Sequence, residues 1–144
     1  MVLSLRSAIS SGIITPILCM ALGCGQRGER LHVGQGFVEL SDGDVAVLVG
    51  SHVELALQSD MKIRASGTIR ADGAFTLETN QAGVIHQGVR EGVYHARLIL
   101  TDDERAAFKI AKNAVAARFL DFQTSGWSVR IPASGTILLT AAKK

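Results

Sequence analysis

The sequence predicts an all-β protein, built as a β-sandwich of short strands. From Val33 onward, apolar residues recur with a period of two rather than with the longer period of a helix. Gly, Asp and Asn signals separate the apolar runs at the spacing of roughly 8 to 12 residues that is typical of sandwiches. About seven such runs are expected to form strands that each bury one face.

The strongest strand candidates show strict alternation. Val53, Leu55 and Leu57 are apolar at alternate positions and are predicted to face one core. Asp72-Gly73 favours the positive φ angles of a tight hairpin turn. The runs predicted as strands are 37–40, 45–49, 53–57, 63–70, 75–79, 93–100, 127–131 and 136–140. The side chains expected in the core include Leu55, Phe75, Leu77, Tyr94 and Leu98.

One segment departs from this alternation. Residues 102–118 are rich in Ala, Lys, Arg and Glu, and apolar residues such as Phe108 and Ile110 fall close to helical spacing. Thr101 or Asp102 is expected to cap the segment, because a side-chain oxygen can accept from the free backbone N–H groups of a first turn. The sequence therefore predicts one short helix beside the strands.

The N-terminus predicts an export signal. Residues 1–7 carry a single cation, Arg6, and lead into an apolar segment, 8–22. About 15 residues are too few for a helical bilayer crossing, which needs roughly 20. That length is typical of a signal peptide, so residues 1–23 are predicted to be a helical signal that is removed on export.

The segment ends in Ala21-Leu22-Gly23-Cys24, which resembles the lipobox of bacterial lipoproteins. In that family a small residue, here Gly23, lets the protease reach the backbone at the cleavage site, and the thiol of the next residue, here Cys24, accepts a diacylglyceryl group. The resemblance implies a lipid anchor on Cys24 that holds the exported protein on a cell membrane, at its periplasmic or outer surface. An uncleaved anchor and an ordinary signal peptide are the alternatives.

The rest of the chain is then divided in two. Residues 24–34 are polar and contain several glycines, so they are predicted to be a flexible tether. Residues 35–142 are predicted to be the sandwich domain. The two cysteines of the chain, Cys19 and Cys24, lie in or next to the apolar segment, so the predicted domain has no disulfide and depends on apolar burial.

Composition argues against several functions. The 15 basic and 13 acidic residues give no electrostatic footprint for nucleic acid, and 5% aromatic residues leave few rings for base stacking. His32, His52, His86 and His95 form no pair at metal-binding spacing, so no metal site is expected. The sequence contains no Gly-x-Ser-x-Gly nucleophile motif and no glycine-rich phosphate loop, so neither catalysis nor a cofactor is predicted.

Three segments resemble a known family. Residues 65–68 followed by 71–77, with Asp72-Gly73 and Phe75, look like a hairpin of carboxypeptidase-regulatory-like, or transthyretin-like, domains. Residues 88–96 resemble the beginning of that family's next strand, and residues 117–129 are similar to a segment of small planctomycete-type lipoproteins with one such domain. The resemblance implies a seven-stranded, Greek-key-like sandwich without catalysis in the cell envelope.

Two functional hypotheses follow. In the first, the sandwich is an interaction module that presents strand edges, or the predicted loop 83–92, to an envelope protein or polymer. In the second, it is an architectural surface component with no specific ligand. A contiguous apolar patch of several hundred Å² would favour the first, and an evenly polar surface would favour the second.

Overall fold

The computed structural model describes residues 29–143, so the predicted signal peptide, Gly23 and Cys24 lie outside the described residues. The described chain is mostly β, with eleven strands, one α-helix and two short 3-10 helices. The strands are β1 Leu31–His32, β2 Gln35–Leu40, β3 His52–Leu57, β4 Asp60–Thr68, β5 Ala74–Thr76, β6 Glu78–Gln81, β7 Val84–Gln87, β8 Val89–Arg90, β9 Gly92–Ile99, β10 Ser128–Ile131 and β11 Ile137–Ala141. The helices are α1 Arg105–Ala114 and the 3-10 helices Val45–Leu48 and Ala117–Leu120.

These strands form three open sheets. The largest has six strands in the order β10-β9-β3-β4-β6-β7, the second has three in the order β11-β2-β5, and β1 pairs with β8. Neighbouring strands are antiparallel, except that β11 runs parallel to β2. The fold is therefore all-β and sandwich-like, as predicted. The expected number of seven strands is not confirmed, because the predicted loop 83–92 forms β7 and β8 and the run 75–79 is divided between two sheets.

One apolar core lies between the two larger sheets. Several strands contribute alternate residues to it; in β11, for example, Ile137, Leu139 and Ala141 are buried and the residues between them are exposed. Both larger sheets supply members of the same buried cluster. The five predicted core residues are confirmed, with exposures of 0 or 1%: Leu55, Phe75, Leu77, Tyr94 and Leu98.

The turn predicted at Asp72-Gly73 is present, but it does not connect two strands of one sheet. Arg70 N donates to Ala74 O at 2.9 Å, Gly73 N donates to Arg70 O at 2.9 Å, and Gly73 has a φ of +83°. Beyond the turn, β5 pairs with β2 rather than with β4. The prediction of a simple hairpin is corrected: Val38 N donates to Gly73 O at 2.9 Å, which docks the turn on β2 and carries the chain into the second sheet.

The run 45–49 was predicted to be a strand, and this prediction is wrong. Residues Val45–Leu48 form a 3-10 helix instead. The carboxylate of Asp44 accepts from Ala46 N at 2.9 Å and caps its first turn. This local side-chain bond offers the backbone an alternative to the β ladder, and it outweighs the β-propensity of the valines.

The predicted helix is present as α1, with a different start. Glu104 occupies its N-cap position without a side-chain hydrogen bond, so neither Thr101 nor Asp102 is the cap. The Thr101 hydroxyl donates to the Asp103 carboxylate at 3.1 Å instead of bonding to a backbone group of the first helical turn. Ala111 is buried against the core, whereas Ile110 is 55% exposed.

Part of the predicted tether belongs to the folded domain. Leu31 pairs with Arg90 and His32 with Val89, which makes β1 an antiparallel partner of β8. Next to β1, Gly34 O accepts from Leu77 N at 2.8 Å. The stretch expected to be a flexible tether, 24–34, therefore contributes its last residues to the β structure, because the short β8 offers a backbone partner there.

Candidate functional site

A cluster of charged side chains lies on the outer face of the six-stranded sheet. Register places Glu54 of β3 opposite Ser66 on one side and Arg97 on the other. Its carboxylate is 3.1 Å from Arg64 Nη1 and 2.7 Å from Arg97 Nη2. Both guanidinium groups also lie over the Phe122 ring, at 4.9 and 4.5 Å from its centroid. This cluster pairs its carboxylate fully and fastens the segment after the second 3-10 helix to the sheet, so its geometry serves packing rather than acid–base chemistry.

The fold does not bring together the four histidines that were considered as metal ligands. His86 lies on β7 and His95 on β9, with three strands of the same sheet between them. His52 Nδ1 lies 3.2 Å from Thr68 Oγ1, and His32 Nε2 lies 3.9 Å from a Glu91 carboxylate oxygen. Across residues 29–143, no group of three His, Cys, Asp or Glu side chains converges as a metal site would require.

A concave surface lies between two strand edges. A groove of about 500 Å³ runs between β10, the last strand of the six-stranded sheet, and β11, the last strand of the three-stranded sheet. Its lining comprises residues 128–130 and 132–139. The connection between the two strands closes one end. At the other end the Trp127 indole Nε1 donates to Thr140 O at 3.2 Å.

The free edges of two strands form the walls of the groove. Within the described chain, β10 pairs with β9 alone and β11 with β2 alone, so each strand has one edge whose backbone N–H and C=O groups face away from its sheet. Leu138 adds an apolar side chain that is 58% exposed. Arg130 is the one charged side chain among the groove-lining residues that the structure describes. Such a groove suits a short extended backbone, of about 13 Å for a four-residue strand.

Aromatic packing holds the Trp127 end of the groove in place. The Trp127 ring stacks on Phe119 with 4.9 Å between the ring centroids and 30° between the planes. Phe119 is itself buried in the core, and the Ser125 hydroxyl donates to Ala96 O at 2.6 Å within the same segment. The indole is therefore fixed from behind, and the groove end does not depend on a freely rotating side chain.

The sequence did not reveal this groove. It predicted both strands, 127–131 and 136–140, but not that consecutive strands lie in different sheets. The predicted interaction loop, 83–92, is instead a hairpin tip followed by β7 and β8. Cys24 and Gly23, the predicted lipidation and cleavage residues, lie outside the described residues. No helix within residues 29–143 is long and apolar enough to span a membrane.

Tyr94 gives the domain a predicted pH dependence. Burial raises the pKa of its phenol above the ordinary value of 10.0, and the nearby Arg90 guanidinium partly opposes this shift. The pKa of the phenol is thus higher in the folded state than in the unfolded state. The stability that the protonated phenol contributes is therefore complete below its unfolded-state pKa, and it is lost as the pH rises through its folded-state pKa. We expect the free energy of unfolding to fall above pH 10.0 by at most about 1.4 kcal/mol per pH unit from this group.

Denaturant unfolding of the wild type and of Tyr94→Phe, each from neutral to alkaline pH, measures this contribution. Tyr94 is the only tyrosine in the chain, so tyrosinate absorbance follows this group alone. The variant loses the hydrogen bond from the hydroxyl to Arg90 O, 2.8 Å long, but should show a shallower alkaline slope. Equal slopes in the two proteins would contradict the assignment.

A scan against protein-family models finds no match to this chain, and searches of curated proteins and of solved structures find none either.

Proposed function

We propose that the chain is a cell-envelope lipoprotein, anchored through a lipid on Cys24, whose sandwich is a non-catalytic interaction module. The observation that carries the anchor is Ala21-Leu22-Gly23-Cys24, placed directly after an apolar segment of signal-peptide length. The β10–β11 groove, with backbone edges rather than reactive side chains, supports a binding role for the domain.

We also propose the finer fold, a Greek-key-like sandwich of the transthyretin or carboxypeptidase-regulatory-like kind. Two features support it. The motif 71–77 forms the turn that transfers the chain between sheets, and Tyr94 at the start of β9 buries its ring while its hydroxyl donates to Arg90 O. Gly92 precedes that tyrosine with a φ of +153°. A side chain at Gly92 would overlap Leu57, so the backbone there passes close to β3.

The proposed contact is the β10–β11 groove, and the proposed ligand is an extended segment of an envelope protein. Added to the β10 edge, such a segment would pair its backbone with the sheet and place an apolar side chain beside Leu138. Arg130 would favour a segment that carries a carboxylate nearby. An architectural surface component with no specific ligand is the alternative.

The substitution Cys24→Ser tests the anchor. A hydroxyl does not replace the thiol as the acceptor of the diacylglyceryl group, so we expect the variant to lose its lipid and to remain uncut or mislocalised. Intact-mass spectrometry of protein from the native membrane reads out cleavage and acylation together. Cys19→Ser is the matched control, because Cys19 belongs to the predicted signal and should leave the mature mass unchanged. A Cys24→Ser protein with wild-type mass and membrane fraction would refute the anchor.

Site-specific photocrosslinking in cells separates the two roles of the domain. A photoreactive residue at Leu138 should give a discrete adduct if the groove holds a partner. The same residue at Ile110 is the control, since the exposures are similar, 58 and 55%, and Ile110 lies on α1 away from the groove. Equal, diffuse labelling at both positions would favour the architectural alternative.

A further inference from the structure

One end of the domain is defined by strand register. Leu57 of β3 pairs with both Asp60 of β4 and Tyr94 of β9, and Gly92 pairs with Ile131. The β3–β4 connection and the start of β9 therefore lie at the same end, which we name the proximal end. The tip of the β6–β7 hairpin lies there too, since β6 runs antiparallel to β4 from the Ser66–Glu78 pair toward the start of β4.

The N-terminal segment joins the domain at this proximal end. Leu31 lies opposite Arg90, two residues before Gly92, so the chain before β1 leads toward the start of β9. Glu29, the first described residue, confirms that direction, because its carboxylate forms an ion pair with Arg90 Nε. Any group attached to Cys24 is therefore tethered to the proximal end.

The proximal end also exposes apolar side chains. Val84 is 57% exposed, Ile85 is 63% exposed and Met61 is 37% exposed. The hairpin that carries the first two has one registered pair with β4, Ser66–Glu78, at its base, and runs from there toward the proximal end. Its two-residue turn, Ala82-Gly83, has positive φ angles of 51° and 84°, the backbone form of a tight hairpin. The tip is thus compact and partly apolar.

The chain between Cys24 and Glu29 is short, and this limits the distance between a lipid on Cys24 and the proximal end. From Cys24 to Glu29 there are five residue steps, which span at most about 18 Å when fully extended. Strand β9 alone, with its eight residues, is about 26 Å long and leads away from the proximal end. A lipid on Cys24 would therefore hold the proximal end next to the bilayer and leave the opposite end, with α1, out of its reach.

We propose that the proximal end docks on the phospholipid bilayer, with Val84, Ile85 and Met61 in the boundary between headgroups and acyl chains. This proposal rests on the lipid anchor proposed for Cys24. Shallow insertion of apolar side chains, to a depth of about 5 to 10 Å, is the usual mode of interfacial binding. The exposed Lys62 next to Met61 suits the phosphate groups at that depth. The anchor supplies the affinity, and the apolar tip fixes the orientation of the sandwich, with α1 facing away from the membrane.

Fluorescence quenching tests this orientation on the full-length, processed protein. An environment-sensitive dye is attached to Ile85→Cys, or to Ile110→Cys on α1 as a matched control of similar exposure. In the lipidated mature chain, only the introduced cysteine has a free thiol, because Cys19 leaves with the signal and the Cys24 sulfur carries the lipid. Each protein is reconstituted into phosphatidylethanolamine–phosphatidylglycerol vesicles that contain a shallow nitroxide lipid.

We expect the dye on Ile85→Cys to be quenched at least about twofold more than the dye on Ile110→Cys, with a blue-shifted emission. Equal quenching, with the acylated mass confirmed, would overturn the docking and leave the lipid anchor intact. Absence of the acylated mass would overturn the anchor and the docking together. A disulfide-linked dimer of Ile85→Cys that forms in detergent as readily as in vesicles would overturn the docking in favour of pairing between two β7 edges.

Discussion

Replacement of Phe75 by alanine should lower the free energy of unfolding by about 3 to 5 kcal/mol. Phe75 is 1% exposed and lies on the short strand β5, where its ring fills the space beside Gly36. A side chain at Gly36 would overlap that ring, so the glycine and the phenylalanine fit each other as a pair. The lost ring would leave a cavity bordered by both sheets, and a domain of this size is stable by only about 5 to 15 kcal/mol.

Phe37→Ala is the control for this experiment. Phe37 is 42% exposed on the outer face of the same three-stranded sheet, so the same change in chemistry should cost less than about 1 kcal/mol there. Urea titration of both variants gives the two values directly. A loss below 1 kcal/mol for Phe75→Ala would contradict the assignment of β5 to the core.

Replacement of Gly73 by alanine should be the most disruptive change in a turn. Gly73 has a φ of +83°, where an L-residue pays about 1 to 2 kcal/mol. Its Cβ would also overlap the carbonyl oxygen of Val38, the residue whose backbone N–H donates to Gly73 O and docks the turn on β2. Overlap with backbone forces a shift of the turn, and such overpacking adds about 1 to 3 kcal/mol.

The chain provides a matched glycine for comparison. Gly83 has nearly the same φ, +84°, but no atom lies within 4 Å of where its Cβ would stand. Gly83→Ala should therefore lose only the free energy of unfolding that the left-handed backbone costs an alanine. The difference in free energy of unfolding between the two variants should measure the effect of the close approach of the turn to β2. Thermal or urea unfolding of both proteins tests this. Equal losses in the two variants would show that the contact between the turn and β2 contributes nothing.

The fold class and the core residues could be predicted from the sequence, because burial in a strand follows directly from the alternation of apolar and polar residues. Leu55 and Leu98, for example, were assigned inward from their period-two neighbours and are almost completely buried. Errors arose where a local bond competed with this pattern. The Asp44 cap turned a valine-rich run into a 3-10 helix, and no propensity scale contains the bond from its carboxylate to Ala46 N.

The partition of strands between sheets could not be predicted, because it depends on contacts distant in sequence. Phe75 and Glu78 lie in one predicted run, yet β5 pairs with β2 and β6 pairs with β4. The candidate groove has the same origin: it exists because β10 joins β9 and β11 joins β2, and neither pairing leaves a local signal. The lipidation of Cys24 stays a prediction, and it rests on a local motif that resembles a lipobox.

Trp127 gives the groove its own spectroscopic reporter. It is the only tryptophan in the chain, its indole N–H donates to the Thr140 carbonyl at the groove end, and its ring stacks on Phe119. An extended segment that reached this end would compete for that carbonyl or exclude water from the ring. Intrinsic emission excited at the indole band would therefore register occupancy without a label, and the affinity of any candidate peptide becomes measurable on the unmodified protein.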